Sequence, residues 1–180
     1  LPSSSRRHTD ASIGAATHSN QLVLCYTVEM TPRAPYTFRR VTRDDGDLLM
    51  TWQAHPHVRA WWGASEPHDH EALNDPRVSR WIVSLEGRPF AFMQDYTVHG
   101  WDDHHFAGLP TGTRGIDQYI GDPEMIGIGH GSAFIGARMQ TLFDAGAPVI
   151  ATDPHPDNAR AIAVYTKLGF SPFGPPQQTQ

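Results

Sequence analysis

The chain carries a single cysteine, Cys25, among 180 residues. That excludes an intramolecular disulfide framework and a cysteine-built metal centre. No apolar run approaches the ~20 residues that span a bilayer, so no membrane partner is expected. The start of the chain has neither the sustained apolar segment nor the cleavage site of a secretory signal, and the expected compartment is the cytoplasm. Basic blocks are absent as well: 14 Lys and Arg stand against 19 Asp and Glu, for a formal charge of −5. Nucleic acid therefore has no electrostatic footprint here, while a cationic small molecule is compatible with the balance. There are no internal repeats. What is present is the length of one domain with apolar residues enough for a substantial core. A monomer and a homodimer fit equally well.

The informative stretch runs from Thr113 to Phe170. Gly127, Gly129 and Gly131 alternate through Gly127-Ile128-Gly129-His130-Gly131-Ser132. Such spacing is poor for a helix interior but suits a backbone that must approach something closely. Directly after it, Ser132 to Phe143 has apolar residues at helical spacing. A glycine-rich turn opening a helix presents N–H groups and the positive end of a dipole, which favours a phosphate. Val149-Ile150-Ala151-Thr152 then reads as a buried strand, stopped by Pro154 and Pro156. Asp157 is placed to cap a helix running to Leu168, with Gly169 as its left-handed terminator. The order is strand, Gly-rich turn, helix, strand, helix, strand, an α/β arrangement.

These residues resemble the core of the GNAT superfamily of N-acetyltransferases. Gly129-x-Gly131 is similar to the end of its Q/R-x-x-G-x-G/A pyrophosphate loop, with Ile126 where Gln or Arg is usual. Asn158…Ala161…Tyr165…Gly169-Phe170 is similar to its N-x-x-A-x-x-x-Y-x-x-x-G-F helix. Arg114-Gly115-Ile116-Asp117-Gln118, Thr152-Asp153-Pro154 and Trp61-Trp62-Gly63 resemble the aminoglycoside 6′-N-acetyltransferase branch. The resemblance covers about residues 36–174. It implies a mixed central β-sheet flanked by helices, acetyl-CoA as co-substrate and a primary amine as acceptor. It also implies one further strand after the last one readable here, so the final strand is expected to be missing.

Ahead of that core, residues 1–29 read as a disordered or non-native extension, with a stray strand near Leu22 to Tyr26, and residues 30–180 as the domain. Tyr36 to Val41 alternates as a first strand. Asp47 to Ala54 is a helix, and Val58 to Trp62 a second, short one. Residues 55–76 resemble the superfamily's substrate-facing lid. Two adjacent tryptophans cannot face one direction, so one of Trp61 and Trp62 is expected in the core, and the other either stacks against a sugar or makes a second core contact. Val78 to Leu85 and Phe90 to Val98 form a hairpin around Glu86-Gly87-Arg88-Pro89. A polar, aromatic loop follows, and then the strand Thr113 to Ile120.

Acetyl transfer from a thioester to an amine needs a held cofactor, a neutral amine, a stabilised oxyanion and a proton for the thiolate. Gly127, Gly129, His130, Gly131 and Ser132 are the expected pyrophosphate holders, with Asn158 near the pantetheine or diphosphate. The resemblance places backbone N–H groups near Tyr119 and Ile120 at the thioester carbonyl. It places Tyr165 as general acid, a phenol protonated at neutral pH. Aspartate is depleted in strands, so Asp117 at mid-strand invites a reason. It is the expected amine binder or base, and Asp153 the second carboxylate of an electronegative pocket. Asp102 in the loop, and Gln94 and Tyr96 by alternation, complete the expected acceptor site. His55, His57, His68, His70, His99, His104 and His105 make no recognised zinc spacing, and no metal is expected. Two other readings remain: an acyltransferase acting on a hydroxylysine-type siderophore precursor, whose branch tends to show Arg-Gly-x-His where Asp117 stands, and a non-catalytic binding protein.

Overall fold

The computed structural model describes residues 21–25, 35–62 and 73–174. A seven-stranded mixed sheet organises them, in the order β2-β3-β4-β5-β6-β1-β7. The strands are β1 (Leu22–Cys25), β2 (Tyr36–Arg40), β3 (Val78–Leu85), β4 (Arg88–Thr97), β5 (Arg114–Ile120), β6 (Val149–Thr152) and β7 (Ser171–Pro172). The helices are α1 (Gly46–Ala54), α2 (Pro56–Trp62), α3 (His130–Asp144) and α4 (Ala159–Lys167). No helix among the described residues is long and apolar enough to cross a membrane.

Strands β2 to β5 form an antiparallel meander with alternating inward residues. One face of the sheet packs Val83, Met93 and Ile116 against Phe134, Ile135 and Met139 of α3 and Tyr165 of α4. The other face carries two clusters. Ile82, Phe92 and Tyr119 meet Leu49, Trp52 and Val58 of α1 and α2. Tyr96 and Val149 meet Val98, Phe106 and Leu109 from the segment after β4. A helix layer thus covers one side, and a helical lid plus a loop cover the other.

The first helical turn is tied to β2. Asp45 accepts from the Thr42 N–H at 2.7 Å and pairs with Arg39 at 2.7 Å. The Arg39 contact holds its carboxyl well down, at about 2.

β5 and β6 are parallel, and they pair only at Arg114–Ile150 and Gly115–Ala151. Beyond Gly115 the two strands part. This opening exposes one edge of β5, and strand alternation decides which groups line it. The Gly121 N–H donates to Phe90 and the Thr113 carbonyl accepts from Val98, so odd-numbered residues turn toward β4. Gln118 and Ile120 therefore present their backbone groups to the opening, whereas Tyr119 does not. Of the two residues expected at the thioester carbonyl, Ile120 thus turns its backbone groups to the opening and Tyr119 turns its own toward β4.

The Leu22 strand is present, but it is not stray. β1 runs antiparallel between β6 and β7, pairing with both. The helix expected to be capped by Asp157 is instead capped by Asn158, whose Oδ1 accepts from the Ala161 N–H at 3.0 Å. Residues 1–20, most of the lid loop with His68 and His70, and the chain past Gly174 lie outside the described residues.

Candidate active site

A cleft of about 460 Å³ lies where β5 and β6 part. Its walls come from α2 (His57, Trp61, Trp62), β5 (Gln118, Tyr119, Ile120), the Gly-rich turn with α3 (Ile126, Gly131, Phe134) and α4 (Asn158, Val164, Tyr165). The turn itself is built by backbone geometry. Gly127 has φ +81° and Gly129 +97°, a region in which a side chain is strained. Gly129 is the N-cap of α3, so the N–H groups of His130, Gly131 and Ser132 open the helix with no carbonyl behind them. The Ser132 hydroxyl turns back to the Gly129 carbonyl at 3.2 Å. The His130 ring leaves the turn and meets the Tyr36 hydroxyl at 2.7 Å. Its backbone, not its imidazole, faces the opening of the helix. Ile126, which stands where Gln or Arg is usual in the resembled loop, lines the cleft.

Tyr165 is 5 % exposed and packs edge-on against Phe170. Its phenol oxygen accepts from the Gln118 side-chain amide. Burial pushes its pKa up, and the hydrogen bonds of Thr152 and Gln118 oppose that shift only in part. The phenol is therefore protonated at neutral pH, and in the Gln118 contact it is the oxygen, not the proton, that is used. Asn158 spends its side-chain oxygen on the helix cap while also lining the cleft.

Across β5, Asp117 faces the opposite side of the sheet. Gln94, 7 % exposed, donates to its Oδ2 at 2.9 Å. Desolvation, then the charge of Asp153, push the Asp117 carboxyl up to about 7, against the Gln94 hydrogen bond and His105. Asp153 Oδ2 lies 3.1 Å from His105 Nε2, off line for a hydrogen bond, and the two form an ion pair when the ring is protonated. The His105 ring stacks on His104, with centroids 4.4 Å apart, and burial lowers His104 to about 4. Tyr96 closes the floor. Its ring lies directly over Gly115, where an added Cβ would fall 2.1 Å from Cζ. Glycine in the Arg-Gly-Ile-Asp run is thus required by close approach.

The two tryptophans both line the cleft but differ in burial. Trp62 packs edge-on against Tyr119 at 4.9 Å, and Trp61 is 45 % exposed beside the His155 ring. Tyr119 stacks its ring on Phe92. The structure does not bring Asp102 to the carboxylate pair: it is exposed on the loop and has no contact with Asp117 or Asp153 among the described residues. Sequence reasoning gave no role to His105 or to Gln118. A histidine doublet in a polar loop carries no spacing signal, and Gln118 was visible only as part of a motif. His57 was also passed over; its Nε2 donates to the Ile120 carbonyl at 2.9 Å and latches α2 to the strand end.

Residues 41–176 match the family model described as an acetyltransferase (GNAT) domain. The chain belongs to this family. The aminoglycoside N(6′)-acetyltransferase type 1 of Klebsiella pneumoniae is 30 % identical over 165 residues, covering 83 % of this chain and 80 % of that protein. The crystal structure of AAC(6′)-Ib in complex with coenzyme A and kanamycin aligns with a TM-score of 0.68 at 32 % identity, over 77 % of this chain and 86 % of that one. An uncharacterized protein from Bacillus halodurans aligns at 0.71 with 28 % identity, over 77 % and 75 %.

As a GNAT acetyltransferase the chain takes acetyl-CoA as co-substrate. The cleft fits that group. It has an anion-ready helix start at one end and an open strand edge in the middle. Gln118 Oε1 is buried with no partner among the described residues, a waiting acceptor for an amide N–H.

Proposed function

We propose that this chain transfers the acetyl group of acetyl-CoA to the 6′-amine of an aminoglycoside, inactivating the antibiotic by modification. One observation carries the proposal: Asp117, bonded to Gln94 on the face of β5 opposite Tyr165, lies near enough to the Asp153 carboxylate for that charge to push its carboxyl up. A polyamine sugar supplies the positive charge that such a pair lacks. The names of the relatives support the same class of acceptor.

Acetyl-CoA supplies the activated acyl group. Ionised Asp117 takes a proton from the acceptor ammonium, and Asp153 holds the charge of a neighbouring amine. The free nitrogen lone pair forms the new C–N bond while the C–S bond breaks, and the second proton that the nitrogen then sheds is balanced by reprotonation of Tyr165 once it has served the sulfur. The N–H groups of Gln118 and Ile120, turned to the opening, would donate to the thioester carbonyl oxygen, where fixed donors act most strongly. Tyr165 gives its proton to the departing sulfur, and Gln118 holds the phenol oxygen from behind. Trp61 offers a partly exposed ring at the mouth for a sugar face.

The test is thiol release from acetyl-CoA with paired acceptors: aminoglycosides bearing a 6′-amine, their 6′-hydroxyl counterparts, and an N6-hydroxylysine. The proposal expects turnover with the 6′-amines and none with the other two. Turnover with hydroxylysine alone moves the enzyme to another acceptor class.

A further inference from the structure

The strand read from sequence as an extension touches the acceptor side of the cleft. β1 fills the position between β6 and β7, with Leu22 opposite Thr152, one residue before Asp153. Leu22 is 4 % exposed and packs in the main core, and Val23 packs on the other face among Val149, Ala151 and Phe106. A strand that contributes to both faces is an inner part of the sheet.

Gln21, immediately ahead of it, is also buried. Its carbonyl accepts from the Phe173 N–H at 2.8 Å, which fixes it to the segment after β7. Its side-chain Nε2 donates to the His105 carbonyl at 3.3 Å. His105 in turn sets its ring 3.1 Å from the Asp153 carboxylate. Gln21 thus bridges the sheet and the loop that carries Asp153's partner.

We infer that β1 belongs to the wall of the acceptor site and that Gln21 is a positioning residue, holding the His105 turn against Asp153. This rests on the acceptor reading given above. Without the Gln21 amide the turn keeps the packing of Phe106 on the sheet but loses the hydrogen bond that fixes His105, so the Asp153 carboxylate loses a fixed neighbour, while the acetyl-CoA side, formed by α3, α4 and the β5 edge, is untouched.

The test uses the full chain with Gln21→Ala, beside Leu22→Ala as a variant that loosens the core without touching the loop. In Gln21→Ala the acceptor KM should rise about three- to tenfold, the range that one hydrogen bond supports. The acetyl-CoA KM should stay within about twofold on the same reasoning. Hydrogen exchange should quicken in residues 98–112 and not in residues 130–144. Leu22→Ala should lower Tm and quicken exchange across the core. A Gln21→Ala protein that behaves like Leu22→Ala, or that matches the parent in both readouts, overturns the inference. The exchange readout needs no acceptor, so it decides the matter even if no aminoglycoside is turned over, an outcome that would count against the acceptor reading alone.

Discussion

Replacing Asp117 with Asn should cut kcat/KM for the acceptor by about 10²- to 10⁴-fold, the usual weight of a positioned base, while acetyl-CoA binding changes little. The direction follows from the two faces of β5: Asp117 pairs with Gln94 on the face proposed for the acceptor, and Gln118 and Tyr165 line the cleft across the strand. The parent should also lose activity as pH falls through about 7, where Asp117 takes up its proton. That limb should vanish in the variant. Stability should move the opposite way. A carboxyl whose folded pKa lies above its unfolded value contributes most below the unfolded pKa, and that contribution is lost as pH rises through the folded one. Asp117, raised to about 7, therefore weakens the fold at pH 8. Asp117→Asn should melt higher than the parent at pH 8, by about 4 °C or more, with the gap closing toward pH 4. Kinetics indistinguishable from the parent would remove Asp117 from the site.

Tyr165→Phe should lower kcat by about 10²-fold or more, the lower end for general acid catalysis, with both KM values near those of the parent. The substitution removes the whole hydroxyl, both the proton and the oxygen that accepts from Gln118. The ring remains to pack against Phe170, so Tm should fall only slightly. The loss should be smaller with an acyl donor whose leaving thiol is more acidic, because such a thiolate departs with less need of a proton. An equal loss with every donor would assign Tyr165 to packing alone.

The sequence announced the parts of this molecule that depend on local chemistry. Gly127 and Gly129 had to be loop glycines, and their left-handed φ angles agree. Asp117 stood out because a carboxylate is costly inside a strand, and its raised pKa is that cost in another form. The adjacent tryptophans differ in burial, Trp62 packed on Tyr119 and Trp61 exposed, although both border the cleft. What stayed hidden depends on long-range pairing. β1 is short and shares no motif with its neighbours, so only the sheet order reveals it between β6 and β7. His105 reaches Asp153 across 48 positions of sequence through a loop of no regular period. The exchange of Tyr119 for Gln118 at the open edge depends on which way a strand turns its amides, and no composition carries that. Capping moved by one residue, from Asp157 to Asn158, within the usual slack of helix ends.

The measurement that bears most directly on the proposed activity is the site of acetylation. A single turnover with acetyl-CoA labelled with ¹³C in its acetyl group, on an aminoglycoside that has a 6′-amine and several ring amines, gives a product whose new amide can be assigned by NMR. The account predicts one labelled acetyl group, on the 6′-nitrogen. Label on a ring amine, on a hydroxyl, or on no acceptor atom at all would contradict it.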